Sequence, residues 1–218
     1  MKDKIVVIEG ACDGIGKTTQ FNLLKEYLEK NGTEVVSHHY PSYNTIQGKL
    51  VEEYLSGHLG KISDLSPYLV NSLYAIDRAI TWESELKEKA KGKVLLLDRY
   101  TTSSLIYQTA LIDNLEEKKQ AIDYIVDYEY NKLGIPKPDL VIFLNAPYDL
   151  IKKMRAARLT NEGIAHDIHE ENDLFMRRVY NNAVFISDYL NWQIIDCNEG
   201  DKLLTVDEVH KKIRKIIK

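Results

Sequence analysis

Ile5-Val6-Val7-Ile8-Glu9-Gly10-Ala11-Cys12-Asp13-Gly14-Ile15-Gly16-Lys17-Thr18-Thr19-Gln20 is the stretch on which the reading of this chain turns. An apolar run feeds a glycine-rich turn, and Phe21-Asn22-Leu23-Leu24-Lys25-Glu26-Tyr27-Leu28 then repeats its apolar residues at helical spacing. Strand, loop and helix in that order are the setting in which such a turn binds phosphate. Glycines let backbone N–H groups turn inward around phosphate oxygens, and the helix presents its positive end to the same anion. Asp13, Gly14, Ile15, Gly16, Lys17, Thr18 and Thr19 therefore predict a nucleoside triphosphate site. Lys17 would neutralise the terminal phosphates, and the Thr18 hydroxyl would reach Mg²⁺. The spacing departs from the usual one. Counting back from Lys17, the first glycine position falls on Ala11, with Gly10 one residue too early. Either the loop holds an extra residue or Ala11 adopts a conformation that needs no glycine.

Working outward, apolar strand candidates recur at Lys4–Ile8, Glu34–His39, Lys93–Asp98, Leu140–Asn145 and Trp192–Cys197. Runs such as Val94-Leu95-Leu96-Leu97 are apolar throughout, as parallel strands covered on both faces require. Helical patterns lie between them at Thr18–Asn31, Thr45–Ser56, Ser66–Lys91 (expected to bend), Thr101–Leu111, Glu116–Leu133, Tyr148–Ala157, Glu170–Leu190 and Thr205–Ile217. Gly32 suits a helix C-terminus, and Ser66-Pro67 and Thr205-Val206-Asp207-Glu208 suit helix starts. Alternating strands and helices predict an α/β fold with a doubly wound parallel sheet and ligands at the carboxyl ends of its strands. With no repeat, low-complexity tract or linker, residues 1–218 read as a single domain.

The composition narrows the function classes. A net charge of −4 over 218 residues argues against a nucleic-acid partner, which needs a basic surface. No apolar run is long enough for a bilayer and no targeting segment is evident, so no membrane partner and a cytoplasmic location are expected. The two cysteines, Cys12 and Cys197, read as reduced thiols, and a small side chain in a tight loop accounts for Cys12 better than nucleophilic chemistry.

Further motifs place chemistry at the same sheet edge. Asp98 and Arg99 follow the third strand, where a carboxylate can hold water of a Mg²⁺ shell and a guanidinium can fork onto phosphate. Tyr40-Pro41-Ser42-Tyr43 ends the second strand, and its rings can stack on a base. Arg78, in Tyr74-Ala75-Ile76-Asp77-Arg78, can meet a second phosphate or a base edge. Ser104, Tyr107 and Gln108 share one helix face, a polar stripe that a nucleotide would satisfy. Arg155 and Arg158 stand at a helix end before the irregular Leu159–Ile168, so the segment from Ala157 to Ile168 is expected to be a mobile lid. His38-His39 and His166/His169 lack the further ligands of a metal site.

With these residues assembled, the chain resembles the thymidylate kinases of the nucleoside monophosphate kinase group within the P-loop superfamily. The likeness runs over nearly the whole chain, through Glu9-Gly10, Asp13–Gln20, Tyr40–Tyr43, Leu73–Arg78, Asp98–Gln108, Pro138–Leu144 and Phe175–Val179. It implies a three-layer P-loop fold with strand order 2-3-1-4-5, and a homodimer. By position it makes Asp13 the acid at the deoxyribose 3′-hydroxyl, Tyr40 the ring stacked on thymine, and Arg78 the donor to the thymine edge. It gives Arg99 the acceptor phosphate, sets Ser104, Tyr107 and Gln108 around the base with Tyr43 in the same substrate set, and makes Arg155 and Arg158 lid arginines. Three positions depart from the pattern: the long phosphate loop, Ala183 where a tyrosine is usual, and an acidic lid segment, Thr160–Glu171. The activity implied is transfer of the γ-phosphoryl of ATP to dTMP with Mg²⁺. A deoxynucleoside kinase and a catalytically silent nucleotide switch are the alternatives, and Arg78 with Arg99 favours a phosphorylated acceptor over a nucleoside.

Overall fold

The protein is described from a computed structural model covering residues 2–10, 12, 14–60, 64–154 and 173–217. Strand β1 (Lys4–Gly10) lies at the centre of a parallel sheet. Val6 pairs with Leu96 of β3 (Val94–Asp98) on one side and with Leu140 of β4 (Leu140–Asn145) on the other. β2 (Val35–His39) extends the sheet beyond β3 and β5 (Gln193–Asp196) beyond β4, giving the order β2-β3-β1-β4-β5. The central strands are apolar on both sides because both sides are covered. Val6, Ile8, Leu96 and Ile142 enter one cluster with Leu24, Val179 and Ile213; Val7, Leu95 and Leu97 enter another with Tyr40, Leu86 and Tyr100. Edge strand β2 is only partly buried, and its composition shows it in Ser37, His38 and His39.

The helix ends follow their chemistry. Ser66 accepts from the Leu69 N–H with Pro67 in the first turn, and Thr205 and Glu208 form a reciprocal capping box. After helix Lys17–Lys30, Gly32 has φ +77° and the Thr33 N–H reaches the Leu28 carbonyl, a Schellman closure.

Several boundaries differ from expectation for identifiable reasons. The bend in Ser66–Lys91 is a π-turn, Trp82–Leu86, between helical stretches Pro67–Thr81 and Lys87–Lys89. The helix expected over Thr101–Leu111 stops at Gln108, where Asn182 takes the Ile106 carbonyl, the Ala110 N–H turns to the Tyr107 carbonyl three residues back, and Arg178 takes the carbonyls of Ala110 and Leu111 and pairs with Asp113. Helix Leu115–Val126 runs into an unforeseen second π-turn, Asp127–Lys132. A small antiparallel hairpin, β6 (Asn198–Glu199) with β7 (Lys202–Leu203), was also not foreseen. Ala183, the departure noted above, is fully buried in helix Asp173–Tyr189. The expected helix from Tyr148 begins at residue 148, but its last residues, the lid segment and the start at Glu170 lie outside the described residues.

Candidate active site

At the carboxyl end of the sheet a cavity of about 660 Å³ opens between the loop after β1, the ends of β2 and β3, and the helices Pro67–Thr81 and Thr101–Gln108. The loop is shaped by close packing. A Cβ on Gly10 would lie 2.9 Å from Ile15 Cγ2 and 3.3 Å from Lys17 Cγ, so this position needs glycine. Gly10 thus supplies a close approach one residue before the usual position, and Ala11 lies outside the described residues. Gly14 and Gly16 have φ of +98° and +92°, a region most residues avoid. Among the described residues, helix Lys17–Lys30 starts without a side-chain cap. Its first-turn N–H groups have no intrahelical partners, the arrangement that holds an anion. Gly14, Ile15, Gly16, Lys17, Thr18 and Thr19 all line the cavity, and the buried Lys17 has Nζ 3.5 Å from the Cys12 carbonyl. Asp13 lies outside the described residues, as do Arg155, Arg158, His166 and His169.

Asp98 ends β3, buried, with Oδ2 3.1 Å from His39 Nδ1. Burial works against its charge, yet the His39 hydrogen bond and the charges of Lys17, His39 and Arg99 hold its carboxyl below the ordinary value. Its Oδ1 is buried and has no hydrogen-bond partner among the described residues. An unpartnered carboxylate oxygen and the Thr18 hydroxyl on one cavity are hard oxygen donors suited to Mg²⁺. Arg99 adopts φ +64°, rare for a residue with a side chain, and its guanidinium lies 5.8 Å from the Tyr107 ring centroid. Glu9, fully buried at the end of β1, accepts from Thr102 and Ser103 and ties β1 to helix Thr101–Gln108.

The far end of the cavity is built from paired groups. The Arg78 Nε and Nη2 donate to the two oxygens of Glu129 at 2.6 and 2.7 Å, both residues being buried. Burial opposes the Arg78 charge, but Glu129 outweighs it and holds the guanidinium above its ordinary value. Arg78, expected to meet a second phosphate or a base edge, is thus paired with Glu129 and lines the cavity. Ser104 accepts from Arg78 Nη2 at 2.7 Å, and Ser104, Tyr107 and Gln108 line the same wall. Tyr40 stands on the same wall. It reaches the cavity but is only 2% exposed, with His38 edge-on at 4.6 Å and Tyr100 at 5.9 Å. Its ring frames the wall and offers little free face. Tyr74, one helical turn before Arg78, and Tyr107 are partly exposed rings on this wall, with the exposed Tyr43 beside His39.

Near the phosphate loop an apolar bay completes the cavity, formed by Met176, Cys197, Leu203, Leu204, Val206 and Val209. Gln20 donates to the Val206 carbonyl at 2.9 Å and so holds the last helix against the first. Burial pushes the Cys197 thiol up to about 11, and both cysteines are free and buried, so Cys197 acts as an apolar wall. His39, Tyr74, Glu129 and this bay were not assigned to the site from sequence. A charged residue closing an apolar strand, as at Glu9 and Asp98, was the signal available for such positions.

A family model described as "Thymidylate kinase" matches residues 8–213. The chain is 33% identical over 215 residues to "Probable thymidylate kinase 1" of Saccharolobus solfataricus, covering 97% of each chain. It is 28% identical over 215 residues to the thymidylate kinase of Homo sapiens, covering 96% of this chain and 87% of that one. Among solved structures, the thymidylate kinase from Candida albicans superposes with a TM-score of 0.70 at 26% identity, covering 99% of this chain and 91% of the other.

Proposed function

We propose the reaction at this site from one premise: the chain belongs to the thymidylate kinase family. The enzyme is a phosphotransferase that moves the γ-phosphoryl group of ATP to dTMP, giving dTDP, and the family sets aside the nucleoside kinase and the silent switch. The observation that carries the reading in three dimensions is the single cavity itself. It joins a glycine-loop helix start to a wall with aromatic rings and a neutralised arginine, with Arg99 on the same lining. ATP phosphates suit the loop, and the apolar bay of Leu203, Leu204, Val206 and Val209 suits a flat purine ring. Tyr74 offers the stacking face for thymine, framed by Tyr40, and Arg78 donates to its edge.

The chemistry is in-line attack by an oxygen of the acceptor phosphate, with no covalent enzyme intermediate. Lys17, Arg99 and the first-turn N–H groups stabilise charge spread over the transferring group. Mg²⁺, which Thr18 and Asp98 would hold, would supply charge neutralisation on the phosphates when bound. Asp13 is proposed at the deoxyribose 3′-hydroxyl. Arg155 and Arg158 are proposed to enter with a lid over 157–168, in a chain read as one domain.

A homodimer and a cytosolic setting belong to the same proposal. Leu69, Ile76 and Ile80 form an exposed apolar stripe on helix Pro67–Thr81, which supports self-association, and the free cysteines suit a reducing compartment. No helix among the described residues is long and apolar enough to cross a membrane. A coupled ADP-release assay against nucleosides and monophosphates tests the activity, with dTMP expected first and dUMP second. Faster turnover of thymidine, AMP or GMP would refute it.

A further inference from the structure

Arg78 has five N–H bonds, and their destinations can be followed one by one. The Nε–H and one Nη2–H meet Glu129, the other Nη2–H meets Ser104 Oγ, and Nη1 reaches only the Tyr100 carbonyl, at a long 3.4 Å. Among the described residues the donor capacity left over is on Nη1, on a side chain that lines the cavity.

Glu129 reaches this place by an unusual backbone path. It lies in the π-turn Asp127–Lys132, where the Leu133 N–H bonds the Tyr128 carbonyl five residues back. The inserted residue of a π-turn rotates the face that follows, and such turns gather at functional sites. Thr101 Oγ1 then donates to Glu129 Oε2 at 2.8 Å, fixing the carboxylate from the helix that also carries Ser104. A fully buried carboxylate is thus held by three groups, two of them on Arg78 itself.

The electrostatic consequence is definite. A lone guanidinium in a nucleotide cavity draws the nearest phosphate dianion. Closed on a carboxylate, the pair is net neutral, its far field is weak, and what it presents is a short-range N–H. A ring carbonyl oxygen satisfies that donor. A ring amino group in its place sets hydrogen against hydrogen and leaves both unpaired, a heavy penalty in a buried site.

We propose that Glu129 is a positioning residue that assigns Arg78 to the base edge of the acceptor, and so sets the preference for a keto pyrimidine monophosphate over an amino pyrimidine monophosphate. This rests on the dTMP kinase reading above. Glu129→Gln keeps the side-chain size and one acceptor oxygen while removing the charge. Once the native enzyme has been shown to turn over dTMP, the variant should raise KM for dTMP about tenfold or more. Its kcat and its KM for ATP should stay within about twofold, since only acceptor binding is touched. The preference for dTMP over dCMP should narrow in parallel, and inorganic phosphate should become a stronger inhibitor against dTMP. Thr101→Val removes the hydroxyl on Oε2, together with its hydrogen bond to Tyr130, and should show the same pattern at smaller size; it decides the question if Glu129→Gln does not fold. An unchanged dTMP KM and dTMP/dCMP ratio, or an equal loss of kcat on every substrate, overturns the proposal and leaves Glu129 a structural partner. Absence of dTMP turnover in the native enzyme defeats the kinase reading itself, before any variant is made, and this inference falls with it.

Discussion

The two ends of the cavity are made of different materials. At the end read as the acceptor site, Arg78, Ser104, Tyr100 and Glu129 are buried and bonded to one another before any ligand arrives. At the other end, Leu203, Leu204, Val206 and Val209 offer aliphatic surface beside a helix start whose free donors are backbone N–H groups. Aliphatic contact scales with area and is nearly blind to which ring it covers. A fixed donor rejects any ring that cannot accept from it. Discrimination should therefore sit at the paired end, and affinity without much discrimination at the aliphatic end.

The largest expected effect tests that asymmetry directly. Replacing dTMP by a purine monophosphate should lower kcat/KM by about 10³-fold or more, whereas replacing ATP by GTP should cost on the order of tenfold. Replacing dTMP by dUMP, which loses only a methyl group, should cost about 1 kcal/mol. Competition kinetics with paired nucleotides measure all three. Equal tolerance at both ends would mean that the Arg78–Glu129 pair reads nothing.

Lys17 lies where the two ends meet, so its loss should strike turnover whichever nucleotides are supplied. Lys17→Met should keep the circular dichroism spectrum and thermal midpoint near native while lowering kcat by about 10²–10³-fold, the scale of a lost transition-state charge donor. Near-native turnover in a folded variant would take the loop out of the mechanism. Asp98→Asn should act less severely, lowering activity about 10–100-fold and moving the Mg²⁺ dependence to higher concentration. A Mg²⁺ titration that matches the native curve would free Asp98 Oδ1 of the role proposed for it.

The same contrast explains what could be read from sequence. The phosphate loop was legible because its parts are contiguous: strand, glycines, Lys17 and helix occupy adjacent positions, and the physics of each is local. The sheet order was supplied by the family likeness, since the apolar runs of β1, β3 and β4 announce burial but not neighbours. The acceptor wall was half legible. Arg78 and Ser104 were picked out, but their organiser, Glu129, lies 51 residues beyond Arg78 and is delivered by a π-turn that no local pattern announces. The enclosure of Tyr40 has a similar origin: Tyr40 and Tyr74 are both aromatic residues near a strand end or helix, and only packing by His38 and Tyr100 shows which ring is enclosed. The aliphatic bay depends on β6 and β7, two residues each, too short for a periodic signal.

The smallest predicted effect concerns the scaffold behind the acceptor wall. His38 Nε2 lies 3.0 Å from Ser42 Oγ, which is 3.0 Å from Thr81 Oγ1, and the Ser42 N–H donates to Asp77 Oδ2 at 2.9 Å. This chain anchors the Tyr40–Ser42 segment to helix Pro67–Thr81, and His38 also braces the Tyr40 ring. Burial lowers the His38 pKa from its ordinary 6.5, Glu85 and Asp77 opposing it only in part. The folded protein thus binds this proton less readily than the unfolded chain does. Above pH 6.5 the imidazole is neutral in both states and its contribution is fully present. As the pH falls from 6.5 through the lower folded value, the unfolded chain gains the proton first and stability is lost. His38→Gln, which can keep a hydrogen bond to Ser42 but does not titrate, should be less stable than the native protein at pH 8 and should lose less on going to pH 5. Denaturant unfolding at a series of pH values gives the two slopes. Residual slope in the variant is expected from His210, whose pKa burial also lowers. Parallel slopes for the two proteins would show that His38 is protonated equally in both states, and that the acceptor wall owes nothing to its neutrality.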